Sequence, residues 1–330
     1  MNALPILQDQ FGRGLNYLRI SVTDRCNFKC FYCRPEINFT HFERPEILSF
    51  EEIEKLVGLF VKLGLRKLRF TGGEPLLRRD LTQLIARIHA AHPALKLCMT
   101  SNGVYLPEHA PALRAAGLTG LNVSLDTLRE ARHANISGAG SVAQIQAGIA
   151  AAQAAGFGQF KLNTVLVKGV NDDEIGDLVR YAQAQRLELR FIEFMPMGGI
   201  DWDFKQVVSE AEILAALEKI APVVNDNADP SDPARRFRLA DHPMAVGIIA
   251  SVTDAFCDDC TRARITSTGA LMPCLFSNLS TDLRDPLRGG ASEDDLIAII
   301  RAGLYNKPKG ARDLIHARPD LQLPMIQIGG

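Results

Sequence analysis

Strand-like and helix-like segments alternate through the first two-thirds of the chain, six units in all, and a differently patterned stretch follows. Regular alternation of this kind calls for a parallel sheet with right-handed crossovers. The unit spacing suits a barrel or partial barrel better than an antiparallel fold. The sequence therefore predicts an α/β protein, an incomplete (β/α)6 TIM-like barrel with a C-terminal extension packed on it. Residues 1–200 are expected to form the barrel and residues 201–330 the extension.

The elements follow in order. Leu15–Val22 reads as a strand. Ser49, with Glu52 three residues on, forms a capping-box pattern, so a helix is expected from there to about Leu63. Lys67–Phe70 is a short strand that enters the loop Thr71–Pro75 (TGGEP). Leu81–Ala90 reads as helix, Leu95–Thr100 as strand, Ala110–Ala116 as helix and Leu121–Leu125 as strand. An Ala-rich helix over Ser141–Ala155 stops at Gly156. Phe160–Val167, Asp173–Gln185 and Leu187–Phe194 complete the series as strand, helix and strand. Met195–Gly199 (MPMGG) breaks the pattern. Ser209–Ile220 reads as helix and Asn225–Pro233 (NDNADPSDP) as a polar loop. Ala245–Ser251 and Ala263–Thr266 read as strands, and Ser267–Gly269 signals a hairpin into Leu271–Met272. Ser292–Leu304 is the last expected helix, and Tyr305–Gly330 shows little periodicity.

Of the 330 residues, 47% are hydrophobic and 23% charged, enough apolar side chains for a sizeable core. Lys and Arg number 37 against 38 Asp and Glu, so the chain as a whole has no attraction to nucleic acid or an anionic membrane. No apolar run approaches the roughly 18 residues of a membrane span. The first residues lack a charged stretch followed by a long apolar one, and the expected location is the cytoplasm. Seven cysteines without an export signal argue against a disulfide framework. Cys98 sits mid-strand among apolar residues and reads as a buried core thiol. The other six fall into two tight groups, which points to a metalloprotein. Seven scattered histidines suggest no histidine-based acid–base centre, and neither a nucleophile elbow nor a Walker loop is present.

Cys26, Cys30 and Cys33 stand in the pattern C-x3-C-x2-C (CNFKCFYC) after the first strand, which is the active face of a β/α barrel. A ferredoxin-type cubane takes four cysteines. No fourth lies nearby, so one iron would stay open for another ligand. A zinc loop closed by His41 is the competing reading. In TGGEP, Gly72 and Gly73 let the backbone approach a ligand closely, and Glu74 offers a carboxylate to an ammonium. The second group, Cys257, Cys260 and Cys274, reads C-x2-C-x13-C and also lacks a fourth thiol. His242 or His316 would close a zinc site there. Two incomplete triads suggest two clusters, each with one open iron.

Arg262 and Arg264 lie two apart, on one face of a strand. Arg19, Lys67, Arg69, Lys161 and Arg190 sit on other barrel strands, where inward positions are normally apolar. Guanidinium forks bind phosphate oxygens bidentately. In a chain of near-zero net charge such a set is local and matched to a compact polyanion. The plain alternative is a set of solvated faces.

CNFKCFYC with TGGEP one unit later resembles the radical S-adenosylmethionine (SAM) superfamily. More narrowly, LRISVTDRCNFKCFYC, LRFTGGEPLLR, TSNG, NVSLDT, KLNTVLVKGVND, FIEFMPMG and CDDCTRARITSTGALMPCLF, in that order, with a terminal Gly-Gly, resemble the GTP 3′,8-cyclase family, also called molybdenum cofactor biosynthesis protein A. The resemblance implies a lyase using SAM and two [4Fe-4S] clusters in the first step of molybdenum cofactor biosynthesis. GTP would become (8S)-3′,8-cyclo-7,8-dihydroguanosine 5′-triphosphate. A 5′-deoxyadenosyl radical would take the ribose C3′ hydrogen, C3′ would attack guanine C8, and the resulting aminyl radical would be reduced and protonated. By motif, Tyr32, Gly73, Ser124 and Met195 carry the SAM contacts. Arg19, Arg69, Thr100, Lys161, Arg262 and Arg264 carry the GTP contacts, with Lys67 and Arg190 as weaker members. Cys26, Cys30 and Cys33 would bind the SAM cluster, and Cys257, Cys260 and Cys274 the cluster that holds guanine. The family also suggests a homodimer, a separate electron donor, delivery of product to cyclic pyranopterin monophosphate synthase, and a Gly329–Gly330 tail reaching the active-site region.

Each residue also has an ordinary role available: Ser124 and Thr100 as caps, Met195 as core filler, Tyr32 as packing, the Gly-Gly tail as a frayed end. Two other functions stay in view. One is a radical SAM enzyme with an auxiliary cluster acting on a peptide, disfavoured by the small number of C-terminal cysteines. The other is a zinc-stabilised nucleic-acid-binding module, disfavoured by the strand alternation and the neutral charge.

Overall fold

Strand β1 (Tyr17–Ser21) opens a run of parallel strands that lie side by side in chain order: β2 (Lys67–Thr71), β3 (Lys96–Ser101), β4 (Gly120–Ser124), β5 (Lys161–Leu166) and β6 (Glu188–Glu193). Helices α1 (Phe50–Lys62), α2 (Leu81–Ala91), α3 (Leu106–Ala115), α4 (Glu130–Ser137), α5 (Val142–Ala154) and α6 (Ile175–Ala184) connect them. The computed structural model describes residues 6–34, 40–158, 160–227, 229, 231–240, 242, 244–310, 314–315, 321 and 323–329.

The expected capping box is present at α1. Ser49 Oγ accepts from the Glu52 amide at 3.2 Å, and the Glu52 carboxylate accepts from the Ser49 amide at 2.7 Å. This reciprocal pair satisfies two backbone donors that a helix start leaves open. Ile53, Leu56, Val57, Leu59 and Phe60 then form one buried stripe. They pack on strand residues such as Leu68 and Phe70, which are fully buried in the same core.

The extension does more than pack against the barrel. After α7 (Glu210–Glu218) come β7 (Val223–Asn225), β8 (Arg235–Leu239), β9 (Ala245–Ile249), β10 (Arg262–Ile265), β11 (Ala270–Met272), β12 (Thr281–Asp282), α8 (Arg284–Arg288), α9 (Glu293–Tyr305) and the single turn α10 (Met325–Ile328). Strand β9 adds parallel to β6, and β10 adds parallel to β1. The antiparallel partners β8 and β11 follow outward. Among the described residues, the twelve strands form one sheet in the order β12-β11-β10-β1-β2-β3-β4-β5-β6-β9-β8-β7. Both edges of the six-stranded series are thus covered, which removes rows of unpaired backbone groups. Among the described residues no helix is long and apolar enough to cross a membrane.

Three local differences from expectation have physical reasons. Helix α3 starts at Leu106, ahead of the expected Ala110, because Pro107 fits a first turn that has no use for its missing N–H. Helix α4 was not expected, since EARHANIS buries only His133, Ile136 and Ser137 and shows little apolar periodicity. The hairpin β7–β8 carries RRFRL, whose charged residues hid the strand.

Candidate active site

The first cysteine loop leaves β1 and turns over the ends of the parallel strands. Cys26, Cys30 and Cys33 share the wall of a cavity of about 190 Å³ with Tyr32, Gly73, Glu74, Ser124, Asp126 and Met195. The loop is braced from several sides. The Lys29 amide donates to Ser137 O at 2.7 Å and the Phe31 amide to Ile136 O at 3.2 Å, both at the end of α4. Tyr32 donates its hydroxyl to Asp126 Oδ2 at 2.5 Å, and the Val165 amide donates to Asp126 Oδ1 at 2.9 Å. Burial pushes the Asp126 carboxyl up to about 6, against those two hydrogen bonds. Burial also pushes the Cys26 thiol up to about 11 and Cys33 to about 12, and raises Cys30 well above its ordinary value. These thiols are therefore protonated in the metal-free chain, and a metal must displace a proton from each sulfur it takes.

The TGGEP loop has a structural role beside the expected one. A Cβ on Gly73 would stand 2.1 Å from Arg25 O, and one on Gly72 would stand 2.6 Å from Thr23 O. The close approach these glycines permit is to the chain's own cysteine loop. The Gly73 amide donates to Thr23 O and the Glu74 amide to Arg25 O, both at 2.8 Å. Glu74 in turn accepts from Ser101 Oγ at 2.9 Å, the Asn102 amide at 2.8 Å and the Leu76 amide at 3.2 Å. Burial raises its carboxyl to about 7 despite these donors. Glu74 thus ties the loop to the end of β3 while lining the thiol cavity.

A second cavity of about 430 Å³ holds the cationic residues and the second triad. Arg19, Lys67, Arg69, Lys161, Arg190, Arg262, Arg264 and Lys307 line it, together with Cys257, Cys260 and Cys274. Strand register explains the grouping: Arg264, Arg19 and Arg69 stand side by side on β10, β1 and β2, and Arg262, Tyr17 and Lys67 form the adjacent row. Arg19 and Arg264 each have a buried Nε with no hydrogen-bond partner. Burial and the charges of neighbouring arginines hold both guanidinium groups below their ordinary pKa. Two crowded cations, each with an orphaned Nε, facing one cavity make a strong demand for an anion. Tyr17 sits among them. Its oxygen accepts from Arg69 Nε at 2.6 Å, and burial raises its pKa, but the charges of Arg69, Arg19 and Lys67 outweigh this and bring it down to about 7.

The second triad has a different electrostatic setting from the first. Burial raises the Cys260 thiol, yet Arg262 and Lys307 outweigh it and bring it down to about 6. Lys307 Nζ donates to Cys260 Sγ at 3.3 Å and to Arg262 O. Arg13 Nη1 donates to Cys257 O and to Lys309 O, both at 2.8 Å, and fastens this loop to the chain's N-terminal segment.

Asn163, Ile192, Met195 and Met325 line both cavities and form the seam between them. Met325 begins α10, whose Ile326 amide donates to Cys33 O at 3.2 Å. Gly329 lies where a Cβ would meet Thr71 Oγ1 at 2.5 Å, and Gly330 lies outside the described residues.

The four expected SAM residues, Tyr32, Gly73, Ser124 and Met195, all face the thiol cavity. Of the expected GTP residues, Arg19, Arg69, Lys161, Arg262 and Arg264 face the larger one. Thr100 does not: it lines the thiol cavity, where its Oγ1 accepts from Arg69 Nη1 at 3.1 Å. Cys98 is a buried core thiol, as expected. Among the described residues, histidine closure of either triad finds no support. His41 faces Asp24 at 3.2 Å, and His242 lies beside Val224 and Asn225 on the β7–β8 side. His316 lies outside the described residues. Among the described residues, no three His, Cys, Asp or Glu side chains converge tightly enough for one metal ion. Each thiol triad lines one cavity, and the donor set, three sulfurs each, suits a multi-iron group. Sequence reasoning passed over Asp126, Lys307, Tyr17 and Asn163. Asp126 and Asn163 had a signal, since they lie within the quoted NVSLDT and KLNTVLVKGVND motifs.

Comparison with known proteins shows the family. The family model for the radical SAM superfamily matches residues 20–182, and that for Molybdenum Cofactor Synthesis C matches residues 187–312. The GTP 3′,8-cyclase of Pelotomaculum thermopropionicum is 41% identical over 327 residues, which cover 98% of this chain and 100% of that one. The mitochondrial GTP 3′,8-cyclase of Arabidopsis thaliana is 37% identical, covering 98% of this chain and 84% of the relative. Among solved structures, Streptococcus suis SuiB bound to S-adenosylmethionine matches with a TM-score of 0.61 at 14% identity, covering 92% of this chain and 74% of that one, a likeness of fold.

Proposed function

We propose a function from one premise: the chain belongs to the GTP 3′,8-cyclase family of the radical SAM superfamily. It is a radical SAM enzyme that acts on GTP in the first step of molybdenum cofactor biosynthesis. The observation that carries the residue-level reading is the pair of cavities joined at Asn163, Ile192, Met195 and Met325. One presents three thiols, and the other presents two arginines with orphaned Nε atoms beside three more.

Cys26, Cys30 and Cys33 would hold a [4Fe-4S] cluster, and with SAM bound there the pair supplies a carbon radical strong enough to take a ribose hydrogen. Tyr32, Gly73, Ser124 and Met195 wall the SAM cavity. Phe194, Met197 and Met325 make much of its lining apolar and so exclude water from the seam. Arg19, Arg262 and Arg264 would bind the triphosphate, with Lys161 and Arg69 alongside. Thr100 acts through Arg69, which it helps to orient. Cys257, Cys260 and Cys274 fit a second cluster beside the base, where Lys307 and Arg262 favour the thiolate form of Cys260. Ribose would then lie at the seam, with C3′ turned toward the thiol cavity. The overall change joins C3′ to guanine C8; the hydrogen lost from C3′ is balanced by one electron and one proton returned at the base.

Residues 1–200 in this reading supply the SAM half and residues 201–330 the second cluster and most of the substrate wall. The same reading includes the cytoplasm, a homodimer, a separate electron donor, and transfer of the product to cyclic pyranopterin monophosphate synthase. A peptide substrate is less well supported, because buried arginines with orphaned Nε atoms suit a compact polyanion.

The test uses the full chain reconstituted anaerobically with iron and sulfide, given dithionite, SAM and GTP deuterated at ribose C3′. Deuterium in the 5′-deoxyadenosine, read by mass spectrometry, is the expected result. 5′-Deoxyadenosine without deuterium would move the substrate elsewhere. No 5′-deoxyadenosine from protein that retains its iron would sink the radical reading.

A further inference from the structure

The two walls of the larger cavity are not equivalent. On the β10–β1 side the Nε atoms of Arg19 and Arg264 lack partners. On the β5–β6 side the cations are already neutralised by the chain's own carboxylates. Arg190 Nε donates to Glu188 at 2.6 Å, while its Nη1 and Nη2 donate to the two oxygens of Asp232 at 3.0 and 2.8 Å. Lys161 Nζ lies 3.1 Å from Glu188 and 3.9 Å from Asp232.

The two carboxylates differ in attachment. Glu188 belongs to β6 and is fixed by the sheet. Asp232 belongs to the segment between β7 and β8, outside any helix or strand, and Asp229, Ser231 and Pro233 of that segment also line the cavity. Gly247 of β9 makes room for the arrangement, since a Cβ there would stand 3.0 Å from Ala234 Cβ and 3.1 Å from Arg190 Cγ. Arg190 is thus held at Nε by the sheet and offers its paired Nη atoms to a two-oxygen anion. A phosphate presents the same pair of oxygens to a guanidinium fork.

We propose that Asp232 is an internal competitor for the nucleotide's phosphates, a carboxylate strap on Arg190 and Lys161 that a phosphate group displaces. The inference rests on the reading of this cavity as the nucleotide site. When a phosphate takes the Nη pair, Asp232 and its own contact from the Ala234 amide, 3.2 Å at Oδ1, are released together. The strap lowers affinity for every ligand whose phosphates reach this wall and leaves other ligands unaffected.

The test compares wild type with Asp232→Asn and Asp232→Ala, using calorimetric binding of inorganic tripolyphosphate, GTP and guanosine to the full, iron-loaded chain. Tripolyphosphate and GTP are expected to bind about tenfold more tightly to both variants, with guanosine unchanged, as removal of one competing charge implies. A second measurement follows amide hydrogen exchange over residues 231–240 of the wild-type protein, which should quicken when tripolyphosphate is added. Equal or weaker tripolyphosphate binding by the variants, or slower exchange in the wild type, would overturn the strap. Tighter tripolyphosphate binding by the variants, with no GTP binding to any of the proteins, would keep the strap and overturn the nucleotide reading.

Discussion

Gly73→Ala places one methyl group where the structure has no room for it. Its Cβ would stand 2.1 Å from Arg25 O and 2.5 Å from Arg25 C, where real Cβ atoms keep at least 3.0 Å. The obstacle is backbone, so no rotamer change relieves it. The loop carrying Arg25 and Cys26 must retreat by about 0.9 Å or more, and overpacking of this kind destabilises by about 1–3 kcal/mol or above. In a chain of this length that is a fall of several degrees in Tm, at roughly 2 °C per kcal/mol. The retreat also strains the hydrogen bonds from the Gly73 and Glu74 amides to Thr23 O and Arg25 O, which set the height of the first cysteine loop. Two assays check this. Thermal unfolding of the metal-free chain gives the stability change, and iron and sulfide content after reconstitution gives the site. Gly158→Ala is the control, because its Cβ would meet nothing within 4 Å. The expected outcome is a destabilised Gly73→Ala that retains iron at the second triad and loses most of it at the first. A Gly73→Ala protein that matches Gly158→Ala in Tm and iron content would refute the claim that the glycine serves the cysteine loop.

Three further outcomes are expected. Arg264→Ala should weaken GTP binding by one to two orders of magnitude, the worth of a charge-assisted contact or two, with Tm unchanged or raised because Arg264 is buried against the charges of Arg19 and Arg262; binding equal to wild type in a calorimeter would count against the phosphate role. Tyr17 should become phenolate as pH rises through about 7, cancelling part of the cationic wall, so GTP affinity of the wild type relative to Tyr17→Phe should fall between pH 6 and 8.5; a ratio constant across that range would show the phenol is not part of the binding field. Cys26→Ser and Cys257→Ser should each lose about half the iron, but only the first should lose 5′-deoxyadenosine formation, while the second keeps it and loses deuterium transfer from GTP; identical losses in both variants would show that the two triads do not act separately.

What was legible in the sequence was whatever depended on local spacing. Ser49 and Glu52 announce the start of α1 because a capping box is a three-residue device. Arg262 and Arg264 were assigned to one face because a strand repeats every two residues, and both do line the cavity. The residues that went unread depend on partners far away in the chain. Nothing near Asp232 marks it as the partner of Arg190, forty-two residues earlier. Lys307 sits in a stretch without periodicity and is only 2% exposed, because its ammonium is turned into the second cysteine group. The glycines of TGGEP show the limit most clearly. Spacing signals that something must come close to the backbone, but it cannot distinguish a ligand from the chain's own Arg25 carbonyl.

The sheet order explains why the two halves of the chain cannot be assigned separate chemistry. Strand β10 comes from the extension yet pairs with β1, so Arg264 and Arg19 stand opposite each other across a junction between halves. At the far side β9 pairs with β6, which sets Gly247 beside Arg190 and lets the β7–β8 segment reach the cavity. The substrate wall is therefore an assembled surface: Arg19 and Arg69 come from one half, and Arg264, in register with them, comes from the other. Arg13 adds a third tie, because it joins the N-terminal segment to the Cys257 carbonyl and to the Pro308–Lys309 backbone. These links make both cysteine loops parts of one folding unit. Arg13 is buried, and its ion pair with Asp9 at 2.6 Å holds the guanidinium in the orientation those carbonyls require. The loop that carries Cys257 and Cys260 has little regular structure and few intrinsic constraints on its position. Its placement beside the arginine wall is imposed by contacts from outside: Arg13 on one flank, Lys307 on the other, and the pairing of β10 with β1 directly after it.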